Sequence, residues 1–386
     1  MVEDWRRGGF GLYLHWPFCE SKCPYCDFNS HVAQGIRYDR WQAAFVAEIG
    51  RAGRETSGRI LQTVYFGGGT PSLMAPDLVA AILDMVRRTW RIANDLEVTL
   101  EANPGSVETG KFRAFRDAGI TRVSLGVQAM NDHDLRLLGR RHTVAEALRA
   151  LDVARTNFDR VSFDLIYARQ DQTLADWKKE LTAALLLSAG HLSLYQLTVE
   201  PGTTFARRHE IGGLLGLPHD DLSADMFEMT QDLCAAADHS AYEVSNHCRP
   251  GEESRHNLIY WRSGDYIGIG PGAHGRLSLR DQRWATEHRR DPTAWLTQME
   301  AGESPEVTRQ LLDKDERGLE FLLMGLRLQE GIDCRRYASL TGTALPQEAV
   351  DELMDLELVS LVEQRLAATP KGRILLNSVI RKLAGA

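Results

Sequence analysis

LYLHWPFCESKCPYCDFNSH (residues 12–31) sets Cys19, Cys23 and Cys26 in a C-x3-C-x2-C pattern directly after an apolar, strand-like run. Three thiolates this close can hold three irons of a [4Fe–4S] cube and leave the fourth iron without a protein ligand. An iron left open in this way can bind a small molecule, whereas an electron-transfer cluster closes that position with a fourth cysteine. Two other readings share the residues. Tetrahedral zinc would take its fourth ligand from His15 or His31. A disulfide pair plus a spare thiol would need an oxidising compartment, and no secretory signal precedes the motif. Pro24, Tyr25 and Phe28 form an apolar cover suited to a cluster.

Composition narrows the class. The chain has 386 residues, 43% hydrophobic and 25% charged, with a formal net charge of −8, so no global basic field argues for nucleic acid. Six cysteines, three of them in one loop, are too few for a disulfide scaffold. Cys234, Cys248 and Cys334 read as small core or surface residues. No apolar run approaches the ~20 residues that span a bilayer. A reducing cytoplasm is the expected setting.

From residue 12 to about 200, short apolar runs alternate with amphipathic stretches. Strands are expected at 12–18, 62–68, 96–102, 122–128, 160–167 and 192–199, each of strand length. Between them Trp41, Phe45 and Ile49 fall at i, i+4 and i+8, as do Leu78, Ile82 and Val86, which marks one face of a helix. Repeated βα units imply parallel strands with right-handed crossovers. Six units without a dinucleotide fingerprint fit an α/β fold, a partial (β/α)6 barrel over residues 1–215. Residues 216–310 carry a long helix, a strand-like YEVSN and the run RHNLIYWRSGDYIGIGPGAHG, and are expected to complete the barrel. Residues 311–386 read as helices, a β-hairpin and a last short helix, a winged-helix-like α+β region. Its mixed charges favour a lid or packing role over DNA binding.

The polar motifs collect at one end of these strands. The cysteines follow the first strand and Gly67-Gly68-Gly69-Thr70-Pro71 the second, while Glu101 closes the third, Gln128 closes the fourth and Asp164 lies in the fifth. Parallel barrels gather reactive groups at C-terminal strand ends, where the βα loops meet. Consecutive glycines let a ligand approach the backbone, and this run is neither a P-loop nor a G-x-G-x-x-G. Taken singly, a triple glycine is often only a tight turn, and an isolated polar residue is more often a surface or salt-bridge group. Together with Arg140 they can line a pocket for an amino acid and a ribose, the aminocarboxylate chelating the open iron.

On these residues the chain resembles a radical S-adenosylmethionine (SAM) protein of the oxygen-independent coproporphyrinogen III oxidase-like family, from LYLHWPFC to the C-terminal tail. The resemblance implies a radical SAM barrel with Cys19, Cys23 and Cys26 as ligands of a [4Fe–4S] cluster. It implies that Tyr13, Gly68, Gly69, Thr70, Glu101, Gln128, Arg140 and Asp164 contact SAM. The implied chemistry is one-electron reduction of the cluster and homolysis of a SAM sulfur–carbon bond, giving a 5′-deoxyadenosyl radical.

The family divides into oxidases and HemW-type haem chaperones. The oxidase loop runs on as C-x3-C-x2-C-x-C, and Phe28 stands where its last cysteine would be. Oxidases also carry a longer extension before the cluster, whereas the first ligand here is residue 19. His256-Asn257-Leu258-Ile259-Tyr260-Trp261 matches the HNxxYW motif associated with haem in the chaperone branch. An imidazole is a usual axial ligand, and Tyr260 and Trp261 can pack a porphyrin face. A histidine beside aromatics is nevertheless more often a buried core residue, and His247, His274 and Cys248 are alternatives. GIGPGAHG (268–275) resembles a family signature, read as a glycine turn near the SAM pocket or simply as a strand-ending turn. One stretch departs from the family: D-L-I-Y-G-L-P-x-Q is replaced by Asp164-Leu165-Ile166-Tyr167-Ala168-Arg169-Gln170-Asp171-Gln172, which alters the fifth βα loop.

The expectation is a cytoplasmic haem chaperone, peripheral to the inner membrane only through its partners. It binds the cluster, SAM and haem, and hands haem to acceptor haemoproteins, respiratory membrane proteins among them. A reductant for the cluster and a cluster-dependent homodimer complete the expected partners. Competing readings are a coproporphyrinogen III oxidase and a radical SAM enzyme that methylates or opens haem.

Overall fold

The apolar runs form six strands in the computed structural model, which describes residues 3–385. They are β1 (Phe10–Trp16), β2 (Ile60–Gly68), β3 (Arg91–Ala102), β4 (Arg122–Gln128), β5 (Arg160–Tyr167) and β6 (His191–Gln196). Each pairs with the next in parallel. Most of their residues are buried, the pattern of strands covered on both faces.

The helices between them pack as their spacing implies. Tyr38–Glu55 buries Trp41, Phe45 and Ile49, and Pro76–Thr89 buries Leu78, Ile82 and Val86. Helices Val144–Asn157 and Leu174–Leu187 begin with capping boxes at Thr143 and Thr173. The threonine hydroxyl and the N3 carboxylate there satisfy backbone N–H groups that have no helical partner.

Residues 240–311 extend the sheet at both ends. β7 (Ser240–Ala241) and β8 (Asn246–Cys248) attach antiparallel beyond β6. On the other side β9 (Asp265–Ile269) pairs in parallel with β1, followed by antiparallel β10 (His274–Leu279), β11 (Gln282–His288) and β12 (Glu306–Leu311). The strand order is β12-β11-β10-β9-β1-β2-β3-β4-β5-β6-β8-β7. β9 is therefore a seventh parallel strand beyond the six expected. Five residues following the seven-residue helix Arg255–Trp261 leave no periodic signal to read. The strand expected at YEVSN falls instead at Asn246–Cys248, because Glu243 Oε1 turns back to accept from Ser245 N and Asn246 Nδ2.

Beyond β12 the chain builds a second apolar core from residues 321–383, Phe321, Leu322, Leu366 and Val379 among them. Five helices, Lys314–Gly325, Cys334–Thr341, Gln347–Asp355, Pro370–Ile374 and Leu376–Leu383, accompany a three-stranded sheet of Ile332–Asp333, Arg365–Ala368 and Val359–Val362. Arg336 joins this unit to the main sheet, donating to the Asp4 carboxylate at 2.8 Å and to the carbonyls of Arg262 and Ser263. No helix among the described residues is long and apolar enough to cross a membrane.

Candidate functional site

A cavity of about 430 Å³ opens at the C-terminal ends of the parallel strands. The cysteine loop after β1 and the glycine run after β2 form one wall. Glu101, Gln128 and Asp164 from β3, β4 and β5 form the floor, and Tyr195 and Gln196 from β6 close the far side. Six adjacent strands laid flat would spread over about 24 Å. Since all of them reach one cavity, the sheet curls around it as a partial barrel.

The cysteine loop is held at several points. Its entry is clamped to the glycine run, with Gly69 N–H donating to Trp16 O at 2.7 Å and Thr70 N–H to Phe18 O at 2.8 Å. A Cβ on Gly69 would lie 2.7 Å from Phe18 O, so this approach requires glycine. Each sulfur has a polar neighbour. Thr70 Oγ1 donates to Cys19 Sγ at 3.3 Å, Arg140 Nη1 to Cys23 Sγ at 3.5 Å, and Ser30 Oγ lies 3.9 Å from Cys26 Sγ. Such neighbours favour thiolates, the form in which cysteine ligates iron. Without metal, burial raises the Cys19 and Cys26 thiols above their ordinary value.

The donor set fits a cube better than a single ion. His15 Nε2 lies 2.8 Å from Asn29 O and its Nδ1 lies 3.0 Å from Tyr13 Oη, while His31 Nε2 is 3.1 Å from Asn29 Oδ1. Both ring nitrogens of His15 and the Nε2 of His31 are thus engaged within the loop. Among the described residues no three His, Cys, Asp or Glu side chains gather as ligands of one metal ion. All six cysteines are free thiols, which leaves the disulfide reading without a bond. Thiols that line one cavity without converging on a point suit irons that each take one sulfur.

Carboxylates dominate the floor. Tyr65 Oη donates to Glu101 Oε1 at 2.8 Å, yet burial still pushes the Glu101 carboxyl up to about 7. Burial likewise raises Asp164 to about 6, although a hydroxyl chain runs to it. Arg122 Nη2 donates to Ser162 Oγ at 2.7 Å, Ser162 to Ser124 at 2.9 Å, and Ser124 to Asp164 Oδ1 at 3.3 Å. Gln128 sits at φ 75 where β4 slips register between Leu125 and Gln128. Strain of this kind in a non-glycine residue is characteristic of functional strand ends. Arg140 Nη2 donates to Gly126 O at 2.8 Å, and its buried Nε has no partner among the described residues. An orphaned cationic donor beside two carboxylates and a glycine wall suits a zwitterionic ligand with hydroxyls.

The structure thus gathers the three cysteines with Gly68, Gly69, Thr70, Glu101, Gln128, Arg140 and Asp164 around one cavity. Tyr13 stands apart, beneath the floor, with its ring stacked on Tyr65 at 6.2 Å. Tyr65 and Tyr195 were not singled out from the sequence. Tyr65 shares the inward face of β2 with Thr63 and Gly67, a period-two signal that could have exposed it.

The HNxxYW motif divides. Glu97 accepts from the backbone N–H groups of Arg255 and His256 at 3.2 and 3.1 Å and so fixes the start of helix Arg255–Trp261. His256 points into the barrel and is 1% exposed. Its Nδ1 is 2.7 Å from Thr63 Oγ1, its Nε2 is 2.7 Å from Tyr260 Oη, and its ring stacks on Tyr65 at 5.0 Å. Both nitrogens are engaged, so the expected haem ligation by His256 does not match this arrangement, and Tyr260 is committed to the same interior bond. Trp261 alone borders a cavity, of about 370 Å³, with Arg7, Arg262 and Arg365 around it. The alternatives do not form one region either. His247 and Cys248 lie on β8 and His274 on β10, which flank the row of parallel strands on opposite sides.

Comparison with known proteins bears on this geometry. Residues 13–183 match the family model of the radical SAM superfamily, and residues 312–375 match that of the HemN C-terminal domain. The chain is 38% identical to the heme chaperone HemW of Mycobacterium tuberculosis, across 97% of this chain and 95% of that protein. It is 36% identical to the heme chaperone HemW of Escherichia coli across 96% of both. A bovine mitochondrial protein, radical S-adenosyl methionine domain-containing protein 1, is 36% identical across 96% of this chain and 86% of its own length. Coproporphyrinogen III oxidase (HemN) from Escherichia coli, a radical SAM enzyme, superposes with a TM-score of 0.82 at 20% identity, over 99% of this chain and 92% of that one. That likeness is one of fold. With end-to-end identity to the HemW proteins added to a three-thiol loop above a curled parallel sheet, the chain belongs to the HemW-type branch of the coproporphyrinogen III oxidase-like family, in the radical SAM superfamily.

Proposed function

We propose that this chain is a haem chaperone that holds a [4Fe–4S] cluster on Cys19, Cys23 and Cys26, binds SAM beside it, and passes haem to acceptor haemoproteins. The observation that carries this reading is the end-to-end identity, 38% and 36%, with two proteins named heme chaperone. Phe28 supports it, since an exposed phenyl ring borders the cavity where the oxidase pattern places a cysteine.

When bound, the cluster supplies single electrons to SAM. The chain's own groups do the rest of the work of binding. Thr70 and Arg140 steady two of the thiolates. Gly68 and Gly69 border the cavity with their backbone, held there by close packing on His15 and Phe18. Glu101, Gln128 and Asp164 offer acceptors to its ammonium and hydroxyl groups, and Arg140 Nε offers a donor to its carboxylate. Haem is placed against the outer face of the HNxxYW helix beside Trp261, whose ring already carries Arg327, with propionates taking the place of Asp333 and Glu330 as partners of Arg7, Arg262 and Arg365. Delivery of haem to respiratory acceptors sets the protein in the cytoplasm and brings it to the inner membrane only through those partners. A reductant and a cluster-dependent homodimer belong to the same proposal.

The competing reading, oxidation of coproporphyrinogen III, is separated by anaerobic incubation of the reconstituted protein with that substrate. The chaperone reading expects no protoporphyrinogen and a Soret band on haem titration. Protoporphyrinogen formation would sink it, and methyl transfer to haem or haem loss on adding SAM would mark a haem-modifying enzyme instead.

A further inference from the structure

Asn29 lies three residues beyond Cys26, and the chemistry described so far gives it no task. Its side-chain amide donates to two carbonyls far away in sequence, Pro271 O and Arg290 O, each at 2.9 Å. Its Oδ1 is 3.1 Å from His31 Nε2, and its own carbonyl lies 2.8 Å from His15 Nε2. Both amide donors and the amide oxygen are therefore used. Pro271 belongs to the GIGPGAHG turn that closes β9. Gly272, at φ +73, makes room for the amide, because a Cβ there would lie 2.6 Å from Asn29 Nδ2. Gly270, at φ +113, faces β1 in the same way, with a Cβ 2.3 Å from His15 O. Gly272 N–H also donates to Arg289 O at 2.9 Å, so the two receiving carbonyls sit on segments bonded to one another.

We propose that Asn29 is a positioning residue for the cluster loop. It locks the exit of the loop onto the Gly-Pro-Gly turn and keeps the three thiols spaced for a cube before any metal arrives. The entry is clamped at Gly69 and Thr70 and the middle at Arg140; the exit is tied to the entry by the pairing of His31–Val32 with Phe18–Cys19 and by His31 N–H donating to Pro17 O at 2.7 Å, and the Asn29 amide adds the tie to the Gly-Pro-Gly turn. The inference rests on the cluster reading of Cys19, Cys23 and Cys26. Ligands held in place lower the cost of binding, whereas a loop without the tether has to be ordered by the metal itself.

The test compares full-length wild type with N29A, N29D, G272A and G302A. Gly302 has the same φ of +73 with nothing within 4 Å of a Cβ, so G302A carries the backbone strain without touching the loop. Two readouts are followed: iodoacetamide alkylation of the three cysteines in the metal-free chain, and iron release from the anaerobically reconstituted protein to a ferrous chelator. N29A, N29D and G272A should speed both by about tenfold, the scale of one to two neutral hydrogen bonds, with thermal melting close to wild type. G302A should behave as wild type. Wild-type rates in N29D and G272A, or equal acceleration in G302A, would overturn the tether. Should N29A not fold, N29D and G272A decide alone. If wild type assembles no cluster, the cluster reading fails, and the alkylation rates still judge the tether separately.

Discussion

Glu101 and His256 sit on opposite sides of Tyr65, which donates its hydroxyl to the first and stacks its ring on the second. Burial acts on them with opposite signs, raising Glu101 to about 7 and lowering His256 to about 3. Glu101 binds its proton more tightly when folded, so its contribution to stability is full at low pH and is lost as pH rises from about 4.5 through about 7. His256 behaves the other way. Its contribution is full above about 6.5 and is lost as pH falls from there toward about 3. His15, His142 and His247, each lowered by burial to about 4, add to the second trend. Urea unfolding should therefore show stability falling between pH 6.5 and 4.5, with a shallower fall in His256→Ala. That variant should also lose about 2–4 kcal/mol at pH 7.5 while its haem Soret band stays as in wild type. Trp261→Ala should weaken haem binding instead, read by haem titration. On the proposed function, cationic SAM binds beside the Glu101 carboxylate, whose ionised form the raised value of about 7 makes scarce below neutral pH. Calorimetry should show affinity dropping as pH falls from 8 to 6, and Glu101→Gln should flatten that dependence.

The fifth βα loop shows how a departure from family pattern is absorbed by one element. Arg169 is 3% exposed and donates to Asp134 Oδ2 at 2.6 Å, to Glu180 Oε2 at 2.5 Å and to Ile166 O. Gln172 also donates to Glu180 and accepts from Arg169 N. Arg169→Leu, which restores the family residue, would leave Glu180 buried without its cation and should cost about 3–5 kcal/mol in urea unfolding. Ala168 sits at φ 56, a left-handed position that favours the family's glycine. Ala168→Gly should stabilise by about 0.5–1 kcal/mol, measured the same way.

At this scale the sequence was legible where residues repeat. The apolar faces of Trp41, Phe45 and Ile49 and of Leu78, Ile82 and Val86 placed their helices, and strand-length runs placed β1 to β6. β9 and the Asn29 contacts were hidden, because each joins segments hundreds of residues apart with no periodic mark. The inward turn of His256 was hidden too. It depends on Thr63 and Tyr65 from β2, which a local motif cannot show.

In the whole molecule, a curled sheet carries the cluster cavity at its strand ends, and a second core of residues 321–383 stands against its opposite side through Arg336 and the helix that bears Trp261. Arg336 is 7% exposed, so Arg336→Ala should raise hydrogen exchange in 314–383 while cluster retention stays as in wild type. If a radical SAM chassis serves haem delivery here, haem must leave it for an acceptor. The protein is reconstituted anaerobically to about four irons and four sulfides per chain, loaded with haem, and mixed with an excess of an acceptor apo-haemoprotein. The Soret spectrum of the acceptor is then followed. The acceptor's haem spectrum should appear as that of the chaperone disappears. A reconstituted protein that binds no haem, or that keeps it in the presence of the acceptor, is not a haem chaperone.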